Sequence, residues 1–120
     1  MSKPIILSIL VVLLFLSSCT YHNEETEYPT PAGCDTLNMS YTNDILPIFK
    51  SNGCAGCHGS SSTTKLNSYT NTKISVDNGS LLGSINHKSG FRPMPDFSPK
   101  INQCSIDQIT AWINDGAFDN

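Results

Sequence analysis

An all-α fold follows from three features of the chain. Apolar residues recur three and four apart in three segments, no window alternates well enough to make a sheet strand, and the stretches between are rich in Ser, Thr, Asn, Gly and Pro. Short helices joined by long loops are therefore expected, in one domain without an internal repeat.

Before any helix of that domain comes a segment with a different purpose. Lys3 supplies a positive charge, Ile5 to Leu16 form a nearly unbroken apolar run, and Leu16-Ser17-Ser18-Cys19 puts small residues before a cysteine. The run is shorter than the about 20 residues a membrane span wants. It looks like a bacterial lipoprotein signal, 1-18, and that likeness implies cleavage before Cys19 and acylation of its thiol and new amino terminus. Two or three acyl chains anchor a protein far more firmly than one. Residues 20 to 33 hold three glutamates and no Leu, Ile or Val, so 19-33 reads as a flexible tether. The domain is then 34-120. The mature chain carries 6 Lys and Arg against 10 Asp and Glu, which argues against nucleic acid as a partner.

The first helix is expected over Asn43 to Ser51, with Asp44 in its first turn, Pro47 near enough to the start to be tolerated, and Ile45, Ile48 and Phe49 on one face. Gly53 ends it. Ser60 to Asn78 is dominated by Ser, Thr and Asn and reads as irregular, with Leu66, Tyr69, Ile74 and Val76 as its core contacts. A short helix is expected over Ser80 to His87, where Leu81, Leu82 and Ile85 share a face. Ser89 to Pro99 contains Gly90, Pro93, Pro95 and Pro99, which excludes a regular helix or central strand. The last helix is the clearest: Ser105 and Gln108 have capping-box spacing, Ile106, Ile109, Trp112 and Ile113 make a stripe, and Gly116 stops it.

Cys54-Ala55-Gly56-Cys57-His58 lies just beyond the first helix. Two thiols at this spacing add across the two vinyl groups of a haem while the adjoining imidazole reaches the iron. One haem c per chain, covalently attached, is the expectation. A thioredoxin-like dithiol should follow a strand inside a β-α unit, and structural zinc wants a second compact ligand pair, whereas Cys34, His87 and Cys104 are scattered. Of five cysteines, one is assigned to lipid and two to haem, so Cys34 and Cys104 are left as a disulfide in an oxidising compartment, with buried free thiols as the alternative.

A second iron ligand is sought among the remaining donors. Met94 stands between Pro93 and Pro95, which stiffen the backbone that presents its thioether. Soft sulfur favours ferrous iron and raises the potential. The ordinary role of a methionine is core filling. His87 is the rival donor or an exposed helix-end residue, and His22 lies in the tether. Tyr69, Lys73 and Arg92 are candidates to meet the haem propionates, and nothing in the sequence chooses among them.

Over Tyr41 to Asn120 the chain resembles the class I cytochrome c superfamily. The likeness is carried by Asp44-Ile45-Leu46-Pro47-Ile48-Phe49 before Cys54-Ala55-Gly56-Cys57-His58, by Pro93-Met94-Pro95, and by Ile109 to Ala117 at the end. The nearest subgroup is the small haem domains found as lipoproteins or fused modules in Bacteroidetes-like bacteria. The resemblance implies a small cytochrome c-like fold with long loops around one covalent haem, in which the helix before the haem crosses the terminal helix and sets Phe49 and Ile45 near Trp112 and Ile109. A Cys34-Cys104 bridge departs from many members. With His58 and Met94 both on the iron, the expected function is one-electron transfer with redox partner proteins and no substrate chemistry, not an enzyme. A haem peroxidase or a gas-sensing module with a displaceable sixth ligand is the alternative. The expected place is the bacterial cell envelope, on a membrane through acylated Cys19, with the periplasmic face favoured.

Overall fold

The structure, a computed structural model, describes residues 33–120, which fall within one unit, Pro31–Asn120. The expected signal segment, Cys19 with its acyl chains, His22 and the tether up to residue 32 lie outside the described residues. Among the described residues there is helix and no strand.

Ser40 opens the first helical segment. Its hydroxyl accepts from the Asn43 N–H at 3.3 Å, and its own N–H donates to the Asp44 carboxylate at 2.8 Å, a reciprocal cap that satisfies groups a helix start leaves orphaned. A π turn, Tyr41–Ile45, runs directly into α1, Leu46–Ser51. The helix thus starts two residues before the expected Asn43. Pro47 accounts for the wide turn: it has no N–H and its ring crowds the carbonyl four residues back, while the Leu46 N–H reaches Tyr41 O instead.

Gly53, at φ 73°, reverses the chain into a single turn, α2, Cys54–Cys57. A left-handed residue is needed there, and glycine adopts it without a Cβ clash. The stretch expected to be irregular contains α3, Tyr69–Asp77, capped by Ser68, whose hydroxyl accepts from the Asn71 N–H at 3.4 Å. Its buried face consists of Thr72 and Ser75, and Ile74, expected in the core, is 61% exposed. The Thr72 hydroxyl is hydrogen bonded to the Tyr41 hydroxyl at 3.3 Å, so the polar face is satisfied inside.

α4, Ser80–Ile85, is shorter than expected, and α5, Gln103–Asn114, starts earlier. Asn102, not Ser105, caps α5: its side-chain oxygen accepts from the Ser105 N–H at 2.8 Å, and Ser105 is a buried residue of the first turn. The expected capping box is corrected accordingly. At the other end Gly116, at φ 111°, closes a Schellman motif in which the Ala117 N–H reaches Trp112 O at 2.8 Å and the Gly116 N–H reaches Ile113 O at 3.1 Å.

Ile45 and Phe49 share one core with Ile106, Ile109 and Trp112, and the Tyr41 ring lies 5.6 Å from the Trp112 ring. Each such side chain contributes about 1.5–3 kcal/mol by burial. The Trp112 indole N–H, which must not be stranded there, donates to Phe118 O at 3.0 Å.

Cys34 and Cys104 form a disulfide, with Cα atoms 5.6 Å apart and 70 residues between them in sequence. It fastens the irregular segment around Cys34 to the first turn of α5, and the Gln108 amide adds a second tie by donating to Asp35 O at 3.0 Å. Removing the bond by Cys34→Ala with Cys104→Ala should lower unfolding stability by about 4 kcal/mol in the loop-entropy account. Paired denaturant titrations of the oxidised parent and the double variant check this; coincident midpoints would show that the unfolded chain gains no freedom from the loss.

Candidate functional site

The single turn α2 fixes the two motif cysteines three residues apart, and the His58 N–H closes it on Cys54 O at 2.8 Å. From His58 the chain makes a loop that returns at Leu66, whose N–H donates to His58 O at 2.8 Å. Within the loop, Thr64 presents its carbonyl to His58 Nδ1 at 2.9 Å. A carbonyl only accepts, so Nδ1 carries the proton and Nε2 of the neutral ring keeps a free lone pair. That is the tautomer an Nε2 metal ligand requires, and the orienting bond fixes the ring as well.

A cavity of about 510 Å³ brings together Cys54, Cys57, His58 and Met94. Most of its remaining wall is apolar, from Phe49, Leu66, Leu81, Ile85, Ile101 and Ile109. All six also belong to the buried core, so the cavity opens directly off the hydrophobic centre. A volume of this size lies in the range of about 300–1,000 Å³ typical of cofactor and ligand pockets. Beside it is a second cavity of about 400 Å³, which shares His58, Leu66, Leu81, Arg92 and Met94 with the first. Its other walls are hydroxyl-rich, with Ser62, Thr63, Thr64, Ser75, Ser80 and Ser84.

The pair of compartments, one apolar and one hydroxyl-lined, fits an amphipathic plate such as haem, with an apolar ring and two carboxylates. Of the three polar candidates, only Arg92 lines either cavity, and it pairs with Asp96 on the same rim. The Tyr69 hydroxyl donates instead to Ala117 O at 3.0 Å, and Lys73 pairs with Asp77 along α3.

Burial pushes the Cys54 thiol up from its ordinary pKa. A dithiol catalyst works through a thiolate, which a raised pKa disfavours. Among the described residues no three His, Cys, Asp or Glu side chains converge on a point where they could hold an ion. Cys104 and Cys34 are committed to each other.

His87 does not line either cavity. Its Nε2–H donates to the Met94 carbonyl at 3.0 Å, so it is bound to the backbone of the residue it rivals. Sequence reasoning offered it as a ligand or as an idle surface group, and neither describes this bond. The hydroxyl wall was missed too, because Ser75, Ser80 and Ser84 carry no motif; only the helical spacing of α3 and α4 gathers them. No helix of the described residues is long and apolar enough to cross a membrane. No protein-family model matches the chain, no characterised protein matches it in sequence, and no solved structure matches it.

Proposed function

We propose that the chain is a small c-type cytochrome of the class I type, holding one covalent haem and passing single electrons between redox proteins of a bacterial envelope. The observation that carries this reading is the meeting of Cys54, Cys57, His58 and Met94, from two distant parts of the sequence, in one largely apolar cavity. Bound haem supplies a one-electron iron couple whose potential is set by the axial ligands and their surroundings.

The chain's own residues do the rest. Cys54 and Cys57 tether the ring through thioethers, and His58 is oriented for the iron by the Nδ1–H bond to Thr64 O. Met94, which lines the same cavity, would supply the second protein ligand to the iron. Leu66, Leu81, Ile85 and Ile109 form the apolar part of the cavity wall and would keep water from a bound haem. The hydroxyl compartment and Arg92 would receive the propionates. Two protein ligands leave no position for a substrate, so electron transfer is favoured over peroxidase or gas-sensing chemistry. Acylated Cys19 holds the domain at a membrane, most simply on its periplasmic face, and acyl mass on the mature amino-terminal peptide is its signature.

A reduced-minus-oxidised visible spectrum of the purified protein, repeated after carbon monoxide is added to the reduced form, tests the function. Low-spin c-type bands that carbon monoxide leaves largely unchanged are expected. Absent haem bands would reject the cofactor, and a high-spin ferric spectrum would put ligand chemistry ahead of electron transfer.

A further inference from the structure

The end of α4 breaks a local rule. Its last turn closes as a Schellman motif, with the His87 N–H on Ser84 O at 3.1 Å and the Lys88 N–H on Gly83 O at 2.9 Å. The residue in the left-handed position of that motif is His87, at φ 53°. Glycine is the ordinary occupant, and this chain uses Gly116 for the same purpose after α5. A side chain with a Cβ is disfavoured there, so its presence asks for a compensating role.

The role is visible in the bonds made by the next loop. Met94 lies between Pro93 and Pro95, neither of which has an N–H, so Met94 supplies the only backbone donor of the three. That donor goes to Ser84 O at 3.0 Å. The Met94 carbonyl accepts from His87 Nε2–H at 3.0 Å. Both backbone polar groups of Met94 are therefore fastened to the end of α4, one to its last turn and one to the residue after its cap. A third contact supports the same strap: the Phe91 ring packs against Gly83 so closely that a Cβ on Gly83 would lie 2.4 Å from it.

We propose that His87 is a positioning residue, retained at a conformationally unfavourable place because its imidazole clamps the Met94 backbone and keeps the thioether in the cavity. This rests on the reading of Met94 as an iron ligand. The bond to the carbonyl slows excursions in which Met94 swings out and exposes the sixth position. His87 lines neither cavity; it acts through Met94.

The test uses the full-length holoprotein and four forms: the parent, His87→Gly, His87→Gln and Met94→Ala. His87→Gly removes the imidazole and relieves the left-handed backbone, so a merely structural histidine would leave a glycine variant at least as well held. His87→Gln keeps an amide donor at nearly the same reach. Two quantities are measured: the rate of carbon monoxide binding to the reduced protein at saturating gas, which reads the opening of the sixth position, and the temperature at which the sulfur-to-iron charge-transfer band disappears.

His87→Gly should retain the band when cold, lose it at a lower temperature than the parent, and bind carbon monoxide about fivefold faster, the effect of one lost hydrogen bond. His87→Gln should restore most of the parent behaviour. A parent-like rate and band temperature in His87→Gly overturn the clamp while leaving Met94 ligation intact. Absence of the band from the parent, with a low-spin spectrum that is lost in His87→Gly and kept in Met94→Ala, would make His87 the ligand and overturn both readings. Met94→Ala and the parent behaving alike in every respect would overturn Met94 ligation itself, and the clamp with it.

Discussion

Cys54→Ala combined with Cys57→Ala is expected to leave no haem on the polypeptide after denaturation. In the parent, a haem stain of a denaturing gel should coincide with the protein band, because two thioethers survive when every noncovalent contact is lost. The double variant retains His58, Met94 and the apolar walls, so it can still bind haem under native conditions, and only the denatured stain should fall to background. Each single variant should keep one attachment and therefore some stain. The contrast separates attachment from mere affinity. A stain that survives both substitutions would mean that other residues hold the group, and a parent band without stain, carrying one zinc instead, would end the haem reading altogether.

Met94→Ala should have the largest effect on redox behaviour. Losing the thioether removes the sulfur-to-iron charge-transfer band, opens the sixth position to carbon monoxide and lowers the midpoint potential. The sign follows from the ligand: sulfur stabilises ferrous iron more than water or a harder donor does, so its removal favours ferric iron. The fall should be on the order of 0.1 V, a modest part of the about 0.8 V over which axial ligands tune haem proteins. Potentiometric titration of parent and variant measures it. His87→Ala, in contrast, should keep the band at low temperature. An unchanged potential and spectrum in Met94→Ala would remove Met94 from the iron.

The helices that the sequence made legible are those that bury aliphatic stripes. Ile45, Ile48 and Phe49 announced α1, and Ile106, Ile109 and Trp112 announced α5, because the residues that periodicity detects are the ones the core takes in. α3 was illegible for the opposite reason. Its inward positions are Thr72 and Ser75, whose hydroxyls look solvent-facing in a hydropathy pattern, and its outward position 74 is an isoleucine. Ser68 was the available signal, as a cap three residues before the N–H it accepts from. The α5 boundary was misplaced because Asn102 and Ser105 are both plausible caps, and only the backbone angle at 102 decides between them.

At the site, the cysteine and histidine spacing is local chemistry and could be read directly. Met94 was legible through its flanking prolines. The disulfide followed from thiol parity, and the structure bears it out. The Thr64 carbonyl, the choice of Arg92 among three polar candidates and the His87 bond were not accessible, since each depends on a loop path and on backbone atoms that every residue possesses. The cytochrome c-like arrangement around haem remains the proposal these residues support, while the helical, strand-free character of the described residues is observed.

The Cys34–Cys104 bond encloses the whole site within one covalent ring, with α2 and the Met94 loop on the same closed circuit. The serine- and threonine-rich loop 59–65 is largely exposed and makes a natural place for a protease to cut. A cut there would part His58 from Met94 along the chain without releasing either piece. The two fragments would stay joined at the bridge, each confined near its complement at high effective concentration, and would separate only under reductant. Nicked protein would therefore migrate as a single species on a nonreducing gel and as two after reduction, with the haem stain following the fragment that carries Cys54 and Cys57. The same ring gives the protein a means of surviving backbone damage with both halves of its candidate site still within reach of each other.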